Sequence, residues 1–175
     1  MGNFEWPWQY EFPPFFSLQP NLETRKKQLL AWCDLFLAFH KHHRIYTVDL
    51  KEAASSELFN NTKLNRKLSG EGILLVLEEL RQKGNIEWTD KAKTRCLVMW
   101  RTPEEWGNLI YKWAGNSGMT NTVCTLYEIA QGEDTTNEEF HGLEDWLLKR
   151  SLKCLERGRK AELMAFDGNE GVKFF

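Results

Sequence analysis

L-E-E-L-R-Q-K-G-N-I-E-W (Leu77 to Trp88) and L-K-C-L-E-R-G-R-K-A-E-L (Leu152 to Leu163) run through the same pattern 75 residues apart. Each begins with apolar residues at helical spacing, meets a glycine (Gly84, Gly158) and continues into a short mixed run. That pattern predicts an amphipathic helix, a glycine stop and the first strand of a hairpin. The first such helix is expected over Gly70 to Lys83, with Ile73, Leu74, Leu77 and Leu80 on one face. The second is expected over Leu143 to Arg157, with Leu147, Leu148, Leu152 and Leu155 inward. The hairpins then close with Cys96 to Arg101, across the polar turn Asp90 to Arg95, and with Val172 to Phe175, around Asp167-Gly168-Asn169.

A second echo lies upstream. T-V-D-L-K-E-A-A (Thr47 to Ala54) resembles T-V-C-T-L-Y-E-I-A (Thr122 to Ala130), 75 residues on, or 76 with one insertion. Short strands are expected at Ile45 to Val48 and Thr122 to Cys124, and short helices at Thr62 to Leu68 and Leu126 to Gln131. A helix precedes each strand. One is capped by Asn21, runs to about His42 and is apolar nearly all round, which marks burial on more than one side. The other opens with Pro103 at its first position and Glu104 and Glu105 in its first turn. Each half therefore reads helix, short strand, short helix, long helix, hairpin, which is the order of a winged helix. The expected architecture is α+β: an N-terminal arm over 1–20, a first winged helix over 21–101 and a second over 102–175.

The arm, F-E-W-P-W-Q-Y-E-F-P-P-F-F (Phe4 to Phe16), places rings at every second position from Phe4 to Phe12. In an extended chain these share one face. Pro7, Pro13 and Pro14 disfavour helix and favour extended or polyproline geometry. Seven rings carry about 1,000 Å² or more of apolar surface, which an arm alone cannot cover. Two readings are open: the arm wraps its own domain, or Pro7 to Tyr10 and Pro13 to Phe16 plug another chain, as stiff Pro-aromatic segments do.

Composition excludes several functions. The net charge is −2 and the pI about 6.1, with no strong electrostatic footprint for nucleic acid. The four cysteines never form C-x-x-C and read as reduced, buried thiols of a cytosolic protein. Signal-peptide, myristoylation and membrane-spanning patterns fail. Phosphate-loop, zincin, nucleophile-elbow and EF-hand spacings do not occur. His40, His42 and His43 have no Cys or acidic partner at ligand spacing, so neither metal, cofactor nor catalysis is expected. Winged helices often bind DNA, and this is the alternative reading, with a transcription-associated role. Against it, the helix Gly70 to Lys83 carries Glu71, Glu78 and Glu79 and is cationic only at Arg81 and Lys83. In the second long helix, Glu144, Asp145 and Glu156 dilute its basic residues.

The arm with Q-P-N (Gln19 to Asn21), L-F-N-N (Leu58 to Asn61), E-W (Glu105-Trp106), T-L-Y-E (Thr125 to Glu128), G-E-D-T (Gly132 to Thr135) and E-F-H-G (Glu139 to Gly142) resembles the small-subunit family of ESCRT-II, the endosomal sorting complex. The resemblance runs nearly end to end. It implies tandem winged helices without catalysis, acting in the sorting of ubiquitinated cargo into multivesicular bodies. It implies two copies of the chain per complex, each docked on one of two larger subunits through N-terminal P-P-x-aromatic plugs. Pro13, Pro14 and Phe16, with Phe15 between, match one plug with Phe in place of Tyr; the other survives as Pro7 to Tyr10. It implies that the second winged helix recruits the first-acting ESCRT-III subunit, of the charged multivesicular body protein family. That subunit begins with a basic helix, and Thr125, Leu126 and Tyr127 beside Glu128, Glu133, Asp134, Glu138 and Glu139 are the expected contacts. For these three, a cap and core role is the structural alternative. Localisation is expected to be cytoplasmic with recruitment to endosomal membranes through the complex, without direct nucleic-acid or membrane binding.

Overall fold

Asn21 starts the first long helix: its Oδ1 accepts the N–H groups of Glu23 and Thr24, each at 3.0 Å. From that cap α1 (Leu22–His43) runs to Arg44, whose φ of 53° ends it. α1 packs against α3 (Gly70–Gln82), and Trp32, Cys33 and Phe36 are wholly enclosed. On α3 the buried residues are Ile73, Val76, Leu77 and Leu80, an i, i+3, i+4, i+7 stripe. Leu74, expected inward, is 42% exposed, one position off that stripe. Gly84 follows the helix at φ +80°, and the chain turns into β4 (Ile86–Trp88) and β5 (Arg95–Val98).

The computed structural model describes residues 2–175 in two compact units, the first ending at Trp100 and the second spanning Arg101–Phe175. In the first, β1 (Thr47–Asp49) pairs antiparallel with β5, giving the sheet β1-β5-β4. Asp49 caps α2 (Leu50–Ser55) by accepting from Lys51 and Glu52. The helix expected at Thr62 to Leu68 does not form. Asn61 Oδ1 accepts the Leu64 N–H, Asn65 takes φ 53°, and the segment becomes a minimal hairpin, β2 (Asn60–Asn61) with β3 (Arg66–Lys67). Asparagine turn chemistry outcompetes a short helix here, and the short helix of this half lies earlier, at α2.

The second unit repeats the plan. Thr102 and Glu105 form a reciprocal capping box on α4 (Pro103–Asn116). β6 (Val123–Thr125), α5 (Leu126–Gln131), α6 (Asp145–Arg157), β7 (Ala161–Phe166) and β8 (Asn169–Phe174) follow. The sheet order is β6-β8-β7, so the last strand is again central. Val48 opposes Cys96 in the first sheet and Cys124 opposes Val172 in the second, both positions moved on by the same 76 residues. Asp167 and Gly168 supply the two positive φ angles of the β7–β8 turn. The α4–α6 contact is close because Gly107 has no side chain: a Cβ there would sit 2.9 Å from the Ser151 carbonyl oxygen. Trp106, Ile110, Ile129, Leu147, Leu152 and Val172 fill this core. The mixed α+β composition and the element order of each unit are those expected of a winged helix.

Candidate functional site

Two tight 3-10 turns shape the arm, Trp8–Glu11 and Pro13–Phe16. The Tyr10 N–H donates to Pro7 O at 3.0 Å and the Phe15 N–H to Phe12 O at 2.9 Å. The expected extended row of rings is therefore not present. Proline φ suits a 3-10 turn as well as an extended chain, and each turn rotates alternate rings to opposite sides. Tyr10, Phe15 and Phe16 are buried at 6%, 5% and 4% exposure, while Trp8 and Phe12 stand out at 69% and 48%. Pro7 is half-buried, and Pro13 and Pro14 are exposed.

The buried half of the arm is stitched to the first unit. The Trp32 indole N–H donates to Phe15 O at 2.9 Å, and its ring stacks on Phe15 at 4.2 Å and 5°. Buried Gln28 donates to Phe15 O and Ser17 O at 2.9 and 2.8 Å and accepts the Gln19 N–H. Asn61 donates to Tyr10 O at 2.8 Å, and the Tyr10 hydroxyl donates to Glu57 O. Tyr10 stacks on Trp6 at 3.8 Å, and burial, then Glu57 and Glu11, push its phenol up to about 12. Both readings of the arm thus have their own residues. Tyr10, Phe15 and Phe16 complete the chain's own core, and Trp8, Phe12, Pro13 and Pro14 face outward. Trp8 and Phe12 pack edge to face at 5.7 Å and border a groove of about 520 Å³ with Pro14, Thr24, Lys27 and Ala31. Sequence reasoning counted rings in twos and missed this pair as the outward one; the prolines at 7 and 13, read as turn openers, were the available signal.

In the second unit Thr125 caps α5, accepting the Glu128 N–H at 3.0 Å while Glu128 Oε1 accepts the Thr125 N–H at 3.1 Å. Leu126 is buried, and Tyr127 is 67% exposed. Glu133, Asp134 and Glu138 lie exposed in the loop after α5. Glu139 does not add a free charge: Arg101 grips both its oxygens at 2.7 and 2.8 Å.

Burial sets the state of His40 and of three of the thiols. His40 is buried, its Nδ1 2.7 Å from Phe36 O, and burial brings its pKa down to about 4, so the ring stays neutral. Burial raises the Cys33, Cys96 and Cys124 thiols to about 11, 12 and 11. Among the described residues no three His, Cys, Asp or Glu side chains gather as a metal set, and no helix is long and apolar enough to cross a membrane.

A family model described as "ESCRT-II complex subunit" matches residues 9–144. Vacuolar protein-sorting-associated protein 25 of Danio rerio is 61% identical over 173 residues, covering 99% of each chain. The Homo sapiens protein of that name is 57% identical, covering 99% of this chain and 98% of its own. The crystal structure of subunit VPS25 of ESCRT-II superposes with a TM-score of 0.83 at 28% identity, covering 98% of this chain and 99% of that one. A chain in the crystal structure of the endosomal complex ESCRT-II (VPS22/VPS25/VPS36) gives 0.79 at 29% identity, covering 96% of this chain and 98% of its own.

Proposed function

Because this chain belongs to the family of ESCRT-II complex subunits, a non-enzymatic component of an endosomal trafficking complex, we propose that it docks on VPS22 and VPS36 through the outward half of its arm and its first unit. Two copies per complex, one on each larger subunit, would use the same face. The observation that carries this reading is the exposed Trp8–Phe12 pair, held on a backbone whose Tyr10, Phe15 and Phe16 rings are locked into the core. Large rings left in water on a rigid support lose little entropy when a pocket takes them. Pro13 and Pro14 stiffen the same surface. Tyr10, Phe15 and Phe16 act from beneath, fixing the shape of the turns.

That division separates two kinds of variant. Trp8→Ala with Phe12→Ala leaves the fold intact and weakens docking by about 2 kcal/mol or more, roughly thirtyfold. Phe16→Ala truncates a core ring, so its first effect is on folding, by about 3 kcal/mol. Titration calorimetry against purified VPS22–VPS36, with an unfolding curve for each variant, checks both. Docking unchanged in the folded Trp8→Ala/Phe12→Ala protein removes the arm from the interface.

The second unit carries the onward contact, with the first-acting ESCRT-III subunit of the charged multivesicular body protein family. Exposed Tyr127 beside Glu133, Asp134 and Glu138 supports this, since an aromatic on an acidic surface suits a basic amphipathic helix. Thr125 and Leu126 hold that surface in shape. The chain then works in the cytoplasm and reaches endosomal membranes through the complex, in sorting ubiquitinated cargo into multivesicular bodies.

A further inference from the structure

We infer that the pocket receiving the arm carries a rim of carboxylates, so that docking is steered by charge before the rings seat. This rests on the docking reading above and adds the chemistry of the partner.

Cations stand in the groove beside the outward rings and on the hairpin against the second turn of the arm. Lys27, from α1, lines the groove beside Trp8, Phe12 and Pro14, and Lys26 is exposed next to it in sequence. The β2–β3 hairpin lies against the second turn of the arm and brings exposed Lys63, Arg66 and Lys67. Among the described residues, none of these five is in an ion pair. Arg66 donates only to the neighbouring Asn65 carbonyl. Glu11 and Glu23 are exposed acids in the arm and the first turn of α1, and Glu5, Asp34 and Glu57 are exposed further off, outside the lining of this groove. Among the described residues Lys27 is the one charged side chain lining the groove itself, so this border is positive in a chain whose overall charge is −2.

Both parts of the face constrain what fits it. Two exposed rings with an open groove between them and α1 need a protein surface that enters the groove and offers pockets. Uncompensated cations at the rim disfavour a neutral or basic partner and accelerate encounter with an acidic one. A bilayer would take the same charges, but it cannot project into a groove, so an acidic-rimmed protein pocket is the occupant.

The test is association kinetics of the full chain on immobilised VPS22–VPS36, at about 0.05 M and about 0.5 M salt. The variants are Lys27→Glu/Arg66→Glu, Lys27→Gln/Arg66→Gln and Trp8→Ala/Phe12→Ala. All six changes are at exposed side chains, and an unfolding curve for each confirms folding. The inference expects charge reversal and high salt each to slow association roughly tenfold, the neutral pair to fall between, and dissociation to change less. Association indifferent to salt and charge, with binding lost in Trp8→Ala/Phe12→Ala, overturns the inference and leaves the docking reading standing. Binding untouched by every variant overturns both. Binding of the full chain to phosphatidylserine vesicles that charge reversal abolishes, with subunit docking unaffected, also overturns it and assigns the cations to a lipid surface.

Discussion

Gln28 ties the end of the arm to α1. It bonds three backbone groups along one stretch of the arm, Phe15 O, Ser17 O and the Gln19 N–H, and has only 7% exposure. Gln28→Leu roughly keeps the volume but leaves the Gln19 N–H without its acceptor and takes one donor each from Phe15 O and Ser17 O, which Trp32 and Gln19 still reach; the expected cost is about 1–3 kcal/mol. Denaturant unfolding is expected to show that loss, together with a rise in protease cleavage between residues 10 and 20. Tyr10 gives a pH signature. Its phenol ionises at about 12 when folded, against an unperturbed value of 10.0. Between those values the unfolded chain releases the proton and the folded chain keeps it, so stability is full below pH 10 and falls as pH rises toward 12. Tyr10→Phe removes that part of the alkaline slope; an identical slope in both proteins would mean the phenol is not buried. None of this was readable in the sequence. A glutamine in a charged run, R-K-K-Q, looks like a solvated helix face, and only the returning arm makes it interior.

At the level of elements, legibility followed the strength of local signals. The asparagine cap at 21, the Pro103 start of α4 and the Asp-Gly turn announced themselves and formed as read. Segments of a few residues did not. Thr62 to Leu68 has helical-looking spacing, yet two asparagines close a hairpin, and the arm's alternation dissolved into turns of three residues. Tertiary packing on Trp32 decided the second case, which no local pattern records. α5 shows how a cap and a contact can sit side by side. Thr125→Ala removes the cap and costs about 1 kcal/mol of stability, whereas Tyr127→Ala is expected to leave stability within about 0.5 kcal/mol and to weaken capture of the partner's basic N-terminal fragment. Thermal melts beside fluorescence titration read the two effects separately; equal binding by Tyr127→Ala protein clears this surface of a role. The α4–α6 crossing predicts its own failure. Gly107→Ala forces a methyl against the Ser151 carbonyl and destabilises the second unit by about 1–3 kcal/mol.

Across the whole molecule, the 75-residue echo announced a duplicated plan, and the matched strand order of the two sheets gives it physical content. What the echo could not say is which duplicated surfaces remain free, because exposure depends on the arm. Each unit has its own sheet and its own buried cluster, so the fragment Arg101–Phe175 is expected to melt cooperatively when made alone. A broad, non-cooperative melt by circular dichroism would count against independent folding.

The strand order has a consequence for how the chain is made. In both sheets the last strand to be synthesised is the one in the middle: β5 between β1 and β4, β8 between β6 and β7. β1 and β4 do not pair, nor do β6 and β7, so a nascent unit holds two edges with no strand to join them until its closing strand emerges. Each sheet behaves like an arch that stands only when the keystone arrives. Lesions that clip β8 therefore do more than trim an edge. They leave β6 and β7 as two unpaired ribbons, open to pairing with whatever strand comes by, and the natural fate of such a product is aggregation and disposal rather than a weakened subunit.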